Sequence, residues 1–255
     1  MLFYFSGTGN SKWIATQLSF RLQERLYFIP DLLRKQTFDF ILNNDERIGF
    51  VFPVYSWSLP DIVSSFIKKL SLQNYRCQYC FFVCSCGDDI GLTKNIFIKM
   101  MASKGWRCHA GFSVIMPNNY VLLPGFDVDD KSLAQKKLVN AIGKLDKIVA
   151  TLHSQSCVFD CKKGCFPFTK TMLINPLFNR FHMSPKNFWT TGECVGCSRC
   201  IKICPMNNIV LENGKPKWDN NCAACLACYH ICPWHAVQYA KRTNGKGQYV
   251  NPNLY

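Results

Sequence analysis

The sequence predicts an α/β chain: a doubly wound, five-stranded parallel sheet followed by a small α+β domain rich in cysteine. Three observations carry this. Uninterrupted apolar runs of strand length alternate with helix-like stretches through residues 1–152, and strands apolar on both faces belong to a parallel sheet covered on both sides. A glycine-rich turn, Ser6-Gly7-Thr8-Gly9-Asn10-Ser11, follows the first strand and opens the first helix, where such folds keep a ligand loop. Finally, eight of the 16 cysteines stand in two copies of one spacing near the C-terminus.

The first part reads as strands at 1–5, 25–29, 48–52, 79–84 and 107–116, with helices at 12–24, 60–70, 92–104 and 129–152. The expected strand order is 2-1-3-4-5, which brings three loops together beyond the strands' carboxyl ends. These are the turn at 6–11, Pro53-Val54-Tyr55-Ser56-Trp57-Ser58-Leu59-Pro60, and Ser85-Cys86-Gly87-Asp88-Asp89. Hydroxyls, an amide and backbone N–H groups at a helix N-terminus suit a phosphate. A P-loop would need Gly-Lys-Ser/Thr where Gly9-Asn10-Ser11 stands, and a dinucleotide fingerprint would need a third glycine where Lys12 stands. Both nucleotide motifs therefore fail.

The S-G-T-G-N-S turn after strand one resembles the phosphate loop of flavodoxins, so the N-terminal part is read as flavodoxin-like. That resemblance implies FMN, its phosphate held by Ser6, Thr8, Asn10 and Ser11, with Gly7 and Gly9 allowing close backbone approach. It also implies ring contacts from the second loop, Pro53 to Trp57, with Tyr55 or Trp57 stacking. The third loop departs from the pattern by offering Cys86 and Gly87 instead of an aromatic, leaving the second ring face open or covered by Tyr120.

The cysteine array reads Cys194-x2-Cys197-x2-Cys200-x3-Cys204-Pro205 and, 28 residues later, Cys222-x2-Cys225-x2-Cys228-x3-Cys232-Pro233. Three thiolates at this spacing wrap three corners of a four-iron cubane, and the fourth, before proline, reaches the other cluster. One cluster would use Cys194, Cys197, Cys200 and Cys232; the other would use Cys222, Cys225, Cys228 and Cys204. Zinc is the competing reading, although zinc domains usually carry two Cys-x2-Cys pairs and a long loop. Residues 186–240 resemble a bacterial-type ferredoxin with two 4Fe-4S clusters, which implies low-potential one-electron transfer. Lys202, Lys215 and Lys217 are positive charges expected to raise the potential of an anionic centre.

Together the two parts resemble the flavodoxin-ferredoxin fusion proteins of anaerobes, divided here as 1–152, a connector 153–185, 186–240 and a basic tail 241–255. The implied role is electron transfer between FMN and two clusters as a carrier or adaptor. A flavin reductase acting on a small substrate and a cluster-based redox sensor stay open, since no acid, base or nucleophile constellation decides among them. The formal charge of +14 falls to about +8 once two clusters and a phosphate are counted, favouring an acidic redox partner. No base-reading motif points to nucleic acid.

Met1 opens directly on an apolar run without a basic n-region or cleavage site, so no signal peptide is expected. Uncharged stretches are too short or too interrupted to span a membrane, and the expected location is a reducing cytoplasm. The eight other cysteines, Cys77, Cys80, Cys84, Cys86, Cys108, Cys157, Cys161 and Cys165, fit no cluster spacing and read as ordinary thiols. The connector's Phe166, Phe168, Met172, Leu173, Ile174, Leu177, Phe178 and Phe181 read as an amphipathic segment packed on its own domains. The end of the chain, from Lys241 on, reads as solvated.

Overall fold

Alternation along each strand decides which side of the sheet a side chain covers, and the computed structural model, which describes residues 1–177 and 184–254, follows it closely. The central sheet is parallel, in the order β2 (Leu26–Phe28), β1 (Leu2–Tyr4), β4 (Ile48–Pro53), β6 (Cys80–Cys86), β7 (Ala110–Ile115) and β8 (Phe159–Asp160). On one face Phe3, Phe50 and Phe82 pack with α3 (Asp61–Lys69) and α4 (Thr93–Ser103) through Phe66 and Phe97. On the other, their neighbours Leu2, Val51 and Phe81 meet α1 (Asn10–Leu22) and α5 (Lys131–His153) through Ile14, Leu18, Leu145 and Ile148. Each such fully buried side chain contributes roughly 1.5–3 kcal/mol.

The first five strands stand in the expected order. The sheet has six strands rather than five, because β8, formed by two residues of the connector, extends the edge beside β7. A helix at Ile29–Arg34 (α2) and a parallel pair of β3 (Asp39–Ile41) with β5 (Ser71–Gln73) also escape the sequence reading. Three-residue strands are too short to display a period.

In the C-terminal part, β9 (Phe188–Thr190) pairs antiparallel with β12 (Val237–Tyr239), and β10 (Ile209–Glu212) with β11 (Lys215–Trp218). Each cysteine triplet runs into a short helix, α6 (Arg199–Ile203) or α7 (Ala227–Ile231). The 28-residue repeat is also a repeat of backbone conformation. Ser198 and Leu226 enter their helices at φ 62° and 56°, and Asn207 and His235 stand at 50° and 49°. Each fourth cysteine accepts an N–H at 3.3 Å, Cys204 from Asn208 and Cys232 from Ala236.

Two stretches behave differently from the sequence expectation. The tail is tied down: Thr243 and Asn251 are buried, and the backbone N–H of Asn251 donates to the carbonyl of Thr8 at 2.9 Å. The connector's apolar side chains from Phe166 to Leu177 are exposed rather than packed; Phe178 and Phe181 lie outside the described residues. No helix among the described residues is long and apolar enough to cross a membrane.

Candidate functional site

Cys194, Cys197, Cys200 and Cys232 line one cavity together with Leu211, Pro216 and Trp234. The fourth of these cysteines comes from the second repeat. In the other quartet, the Cys222, Cys225 and Cys228 thiols each lie within electrostatic reach of Cys204 from the first repeat. Burial pushes the Cys225 thiol up to about 12 and Cys200 up to about 11, and neighbouring thiols of the same quartet push the same way. Bound iron would reverse that preference, because ligation deprotonates a thiol outright. Among the described residues no three His, Cys, Asp or Glu side chains converge enough to hold a single metal ion. A four-iron cluster asks for less convergence, since each thiolate binds its own iron.

Trp218 stands at the edge of the Cys204 quartet. Its indole Nε1–H is buried with no hydrogen-bond partner, and it lies close enough to the Cys228 thiol to favour the thiolate. The ring stacks on Phe188 at 5.3 Å and 15°, which fixes its plane.

The second candidate site lies at the carboxyl ends of the sheet strands. Ser6, Gly7, Thr8, Asn10, Ser11, Pro53, Val54, Tyr55, Cys86 and Gly87 line a single cavity. Gly9 caps α1 at φ 103°, a conformation open to glycine, and no acidic residue occupies the first turn of that helix. An uncompensated helix N-terminus favours an anion. Gly87 is required for a different reason: a Cβ there would stand 1.7 Å from Oδ1 of Asn118. Asp129 holds Asn118 in place, accepting from its backbone N–H at 2.9 Å and its amide at 3.1 Å.

Three residues expected at this site face elsewhere. The Trp57 ring lies under Lys170 Nζ at 5.2 Å from its centroid, on the connector side. Ser56 shares that loop, and its Oγ is buried without a partner. Tyr120 packs on the iron–sulfur part, edge-on to Phe126 at 5.7 Å, and does not reach the cavity. Ser85, from the third loop, and Met116 to Asn119 complete the wall; the latter follow a strand end of ordinary composition, so no spacing signalled them as ligand residues.

The fit to a flavin differs between its two ends. The enclosed part of the cavity is about 40 Å³, room for a phosphate-sized group at one probe sphere per 10–15 Å³; a ring system would lie in its open mouth. Side chains offered to the phosphate already have partners within the chain. The Asn10 amide donates to the Pro117 carbonyl at 3.0 Å, and its Oδ1 accepts from Tyr249 Oη at 2.8 Å and Asn251 Nδ2 at 3.0 Å. Ser11 Oγ meets Ser85 Oγ at 2.7 Å.

The two candidate sites touch. A Cβ on Gly7 would lie 2.8 Å from Cβ of Cys225 and 3.2 Å from Oη of Tyr55. Burial raises the Tyr55 phenol well above its ordinary value, and the Cys225 and Cys222 thiols add to the rise. His230 helps hold the junction. Its Nδ1 accepts the Tyr249 backbone N–H at 3.1 Å, so Nε2 carries the proton toward the Asn119 carbonyl at 2.7 Å. Burial lowers its pKa to about 4, keeping the ring neutral.

Comparison with known proteins agrees with the C-terminal half of this description. Residues 193–237 match the family described as 4Fe-4S dicluster domain. No curated protein matches the chain. Three solved structures share similarity with it at low identity. A Trp repressor binding protein from Bacillus subtilis is 15% identical over 55% of this chain and 95% of its own, with a TM-score of 0.35. Rubredoxin oxygen:oxidoreductase from the anaerobe Desulfovibrio gigas is 12% identical over 59% and 36%, TM-score 0.33. Azoreductase from Bacillus anthracis is 9% identical over 58% and 97%, TM-score 0.34. The architecture itself is evident in the sheet order: an α/β sheet domain joined to a small iron–sulfur domain. The dicluster domain gives the chain a redox, electron-transfer role.

Proposed function

We propose that this chain is a low-potential electron carrier or adaptor for a reductase, moving single electrons through two 4Fe-4S clusters to an FMN held by its phosphate at the 6–11 turn. The contact between Gly7 and Cys225 carries this reading, because it sets one cysteine quartet against the turn that would hold the phosphate. When bound, clusters exchange one electron each and a flavin one or two, which joins two-electron donors to one-electron chemistry. Cys194, Cys197, Cys200 and Cys232 would ligate one cluster, and Cys204, Cys222, Cys225 and Cys228 the other.

The chain's own residues divide the work. The start of α1 offers backbone donors to an anion, and Gly9 turns the chain into it. Tyr55 and the tail exclude water from the junction, shortening and drying the path between the sites. At the other quartet Cys197 and Trp234 are exposed, with Arg199 lining the same cavity and Lys215 on the Cys194 carbonyl, a basic rim suited to an acidic redox partner.

A second reading has its own observation. Because Asn10, Thr8 and Ser11 already have partners within the chain, the turn also suits a docking surface that binds no flavin. Anaerobic reconstitution followed by metal and flavin analysis separates the two. The carrier reading expects about eight irons per chain and one rebound FMN. Iron without flavin supports the docking reading, and zinc in place of iron rejects both. Turnover of a small acceptor by the isolated protein would favour a reductase over a carrier.

A further inference from the structure

The connector is an amphipathic helix turned inside out. Residues 167–177 are helical, with a wider π-turn at Thr169–Ile174, and Lys170, Thr171 and Asn175 face the protein. The buried Thr171 hydroxyl accepts from the Leu92 N–H at 2.9 Å and lies 3.0 Å from the Trp57 carbonyl, to which it donates. One turn on, the Asn175 amide donates to the Ser56 carbonyl at 2.9 Å. Lys170 bonds Asp89 at 2.6 Å. The apolar side chains point outward instead: Phe166 is 79% exposed, Phe168 63%, Leu177 60% and Leu173 57%.

A helix that spends its polar residues on its own protein and shows its apolar residues to solvent needs something to cover them. Charge indicates what. From 161 to 177 the chain contains Lys162, Lys163 and Lys170 and no acidic residue; Lys170 is held by Asp89, while Lys162 and Lys163 are exposed. Exposed aromatic and aliphatic side chains need no matching pocket if the cover is fluid. Beside free lysines, they suit the boundary between anionic headgroups and acyl chains.

We propose that this face, built on Phe166, Phe168, Leu173 and Leu177 with Lys162 and Lys163, docks the protein on the surface of an anionic lipid bilayer. The binding is peripheral. It depends on neither the flavin nor the ligand assignment, so it stands or falls separately from the carrier reading.

Sedimentation of the cluster-loaded protein with vesicles tests it, using phosphatidylcholine alone and phosphatidylcholine with about 30% phosphatidylglycerol. The protein should sediment with the anionic vesicles, less so with neutral ones, and release as salt rises. F166S/F168S should weaken binding at least about tenfold, and K162E/K163E should weaken it on anionic vesicles only. Unchanged iron content would show that the variants remain folded. The proposal is overturned if wild type ignores anionic vesicles at low salt, or if F166S/F168S binds as wild type does. It is equally overturned if those phenylalanines instead drive self-association or capture of an acidic protein while vesicles go unbound.

Discussion

Cys197 and Cys225 occupy the same place in the two repeats, 28 residues apart, and meet different surroundings. Cys197 is exposed, in a cavity open beside Trp234. Cys225 lies against Gly7 and Tyr55, walled by the phosphate-type turn and strapped by the tail. The two repeats share their left-handed turns around the cysteine triplets, so spacing determines how cysteines gather, whereas neighbours determine what each quartet can do. We read the quartet that holds the exposed Cys197 as the port and the one set against Gly7 as the junction.

Breaking the junction should have the largest effect. G7A places a Cβ 2.8 Å from that of Cys225 and 2.9 Å from its carbonyl oxygen, and overpacking of that kind costs about 1–3 kcal/mol. Differential scanning calorimetry should register a loss of roughly 3–10 °C, with iron content unchanged. N10A removes the amide that joins the turn to Pro117, Tyr249 and Asn251. A further 1–3 kcal/mol, roughly, is expected from the partners left unmade, together with weaker FMN binding by fluorescence titration.

Sharpening the comparison requires a change confined to one quartet. W218F keeps the stack on Phe188 and deletes the N–H that favours the Cys228 thiolate. An N–H beside a ligating sulfur stabilises the reduced, more negative cluster, so its loss lowers the potential. The fall is at most on the order of 40 mV, the one-electron equivalent of a full hydrogen bond of about 1 kcal/mol. Potentiometric titration should show one midpoint moving and the other fixed.

The smallest effect lies far from both. Asp130 caps α5, its Oδ1 accepting the Leu133 N–H at 2.8 Å, and that bond lowers its pKa. A depressed carboxyl stabilises the fold above its unfolded value near 3.9 and loses that contribution as pH falls through the folded value. D130A should therefore lower Tm by about 2 °C at neutral pH and make no difference in strong acid.

The same contrast explains what could be read from the sequence. Cysteine spacing encodes ligand geometry locally, so both quartets were legible, as were the five apolar strands and their order. The cavity wall was legible only where a motif marked it. Tyr55 and Trp57 are two residues apart with nothing local to separate them; what distinguishes Trp57 is its contact with the distant Lys170. Tyr120 was read as a ring cover because it follows the β7 end, but its neighbours in the iron–sulfur part bury it instead. The tail looked solvated because Lys241 to Lys246 are charged; its anchors, Tyr249 and Asn251, bond to residues about 240 positions earlier. The connector showed its amphipathicity correctly and not its orientation, since periodicity identifies two faces without saying which one turns inward.

The crossing of the repeats is the claim on which port and junction both rest. C204S alters the first repeat, and C232S the second; metal analysis with electron paramagnetic resonance of the reduced proteins tests them most directly. C204S should disturb the signal that W218F shifts, and C232S the other one, each with about half the iron lost. If C204S instead perturbs the cluster served by Cys194, Cys197 and Cys200, each repeat holds its own cluster and the account is wrong.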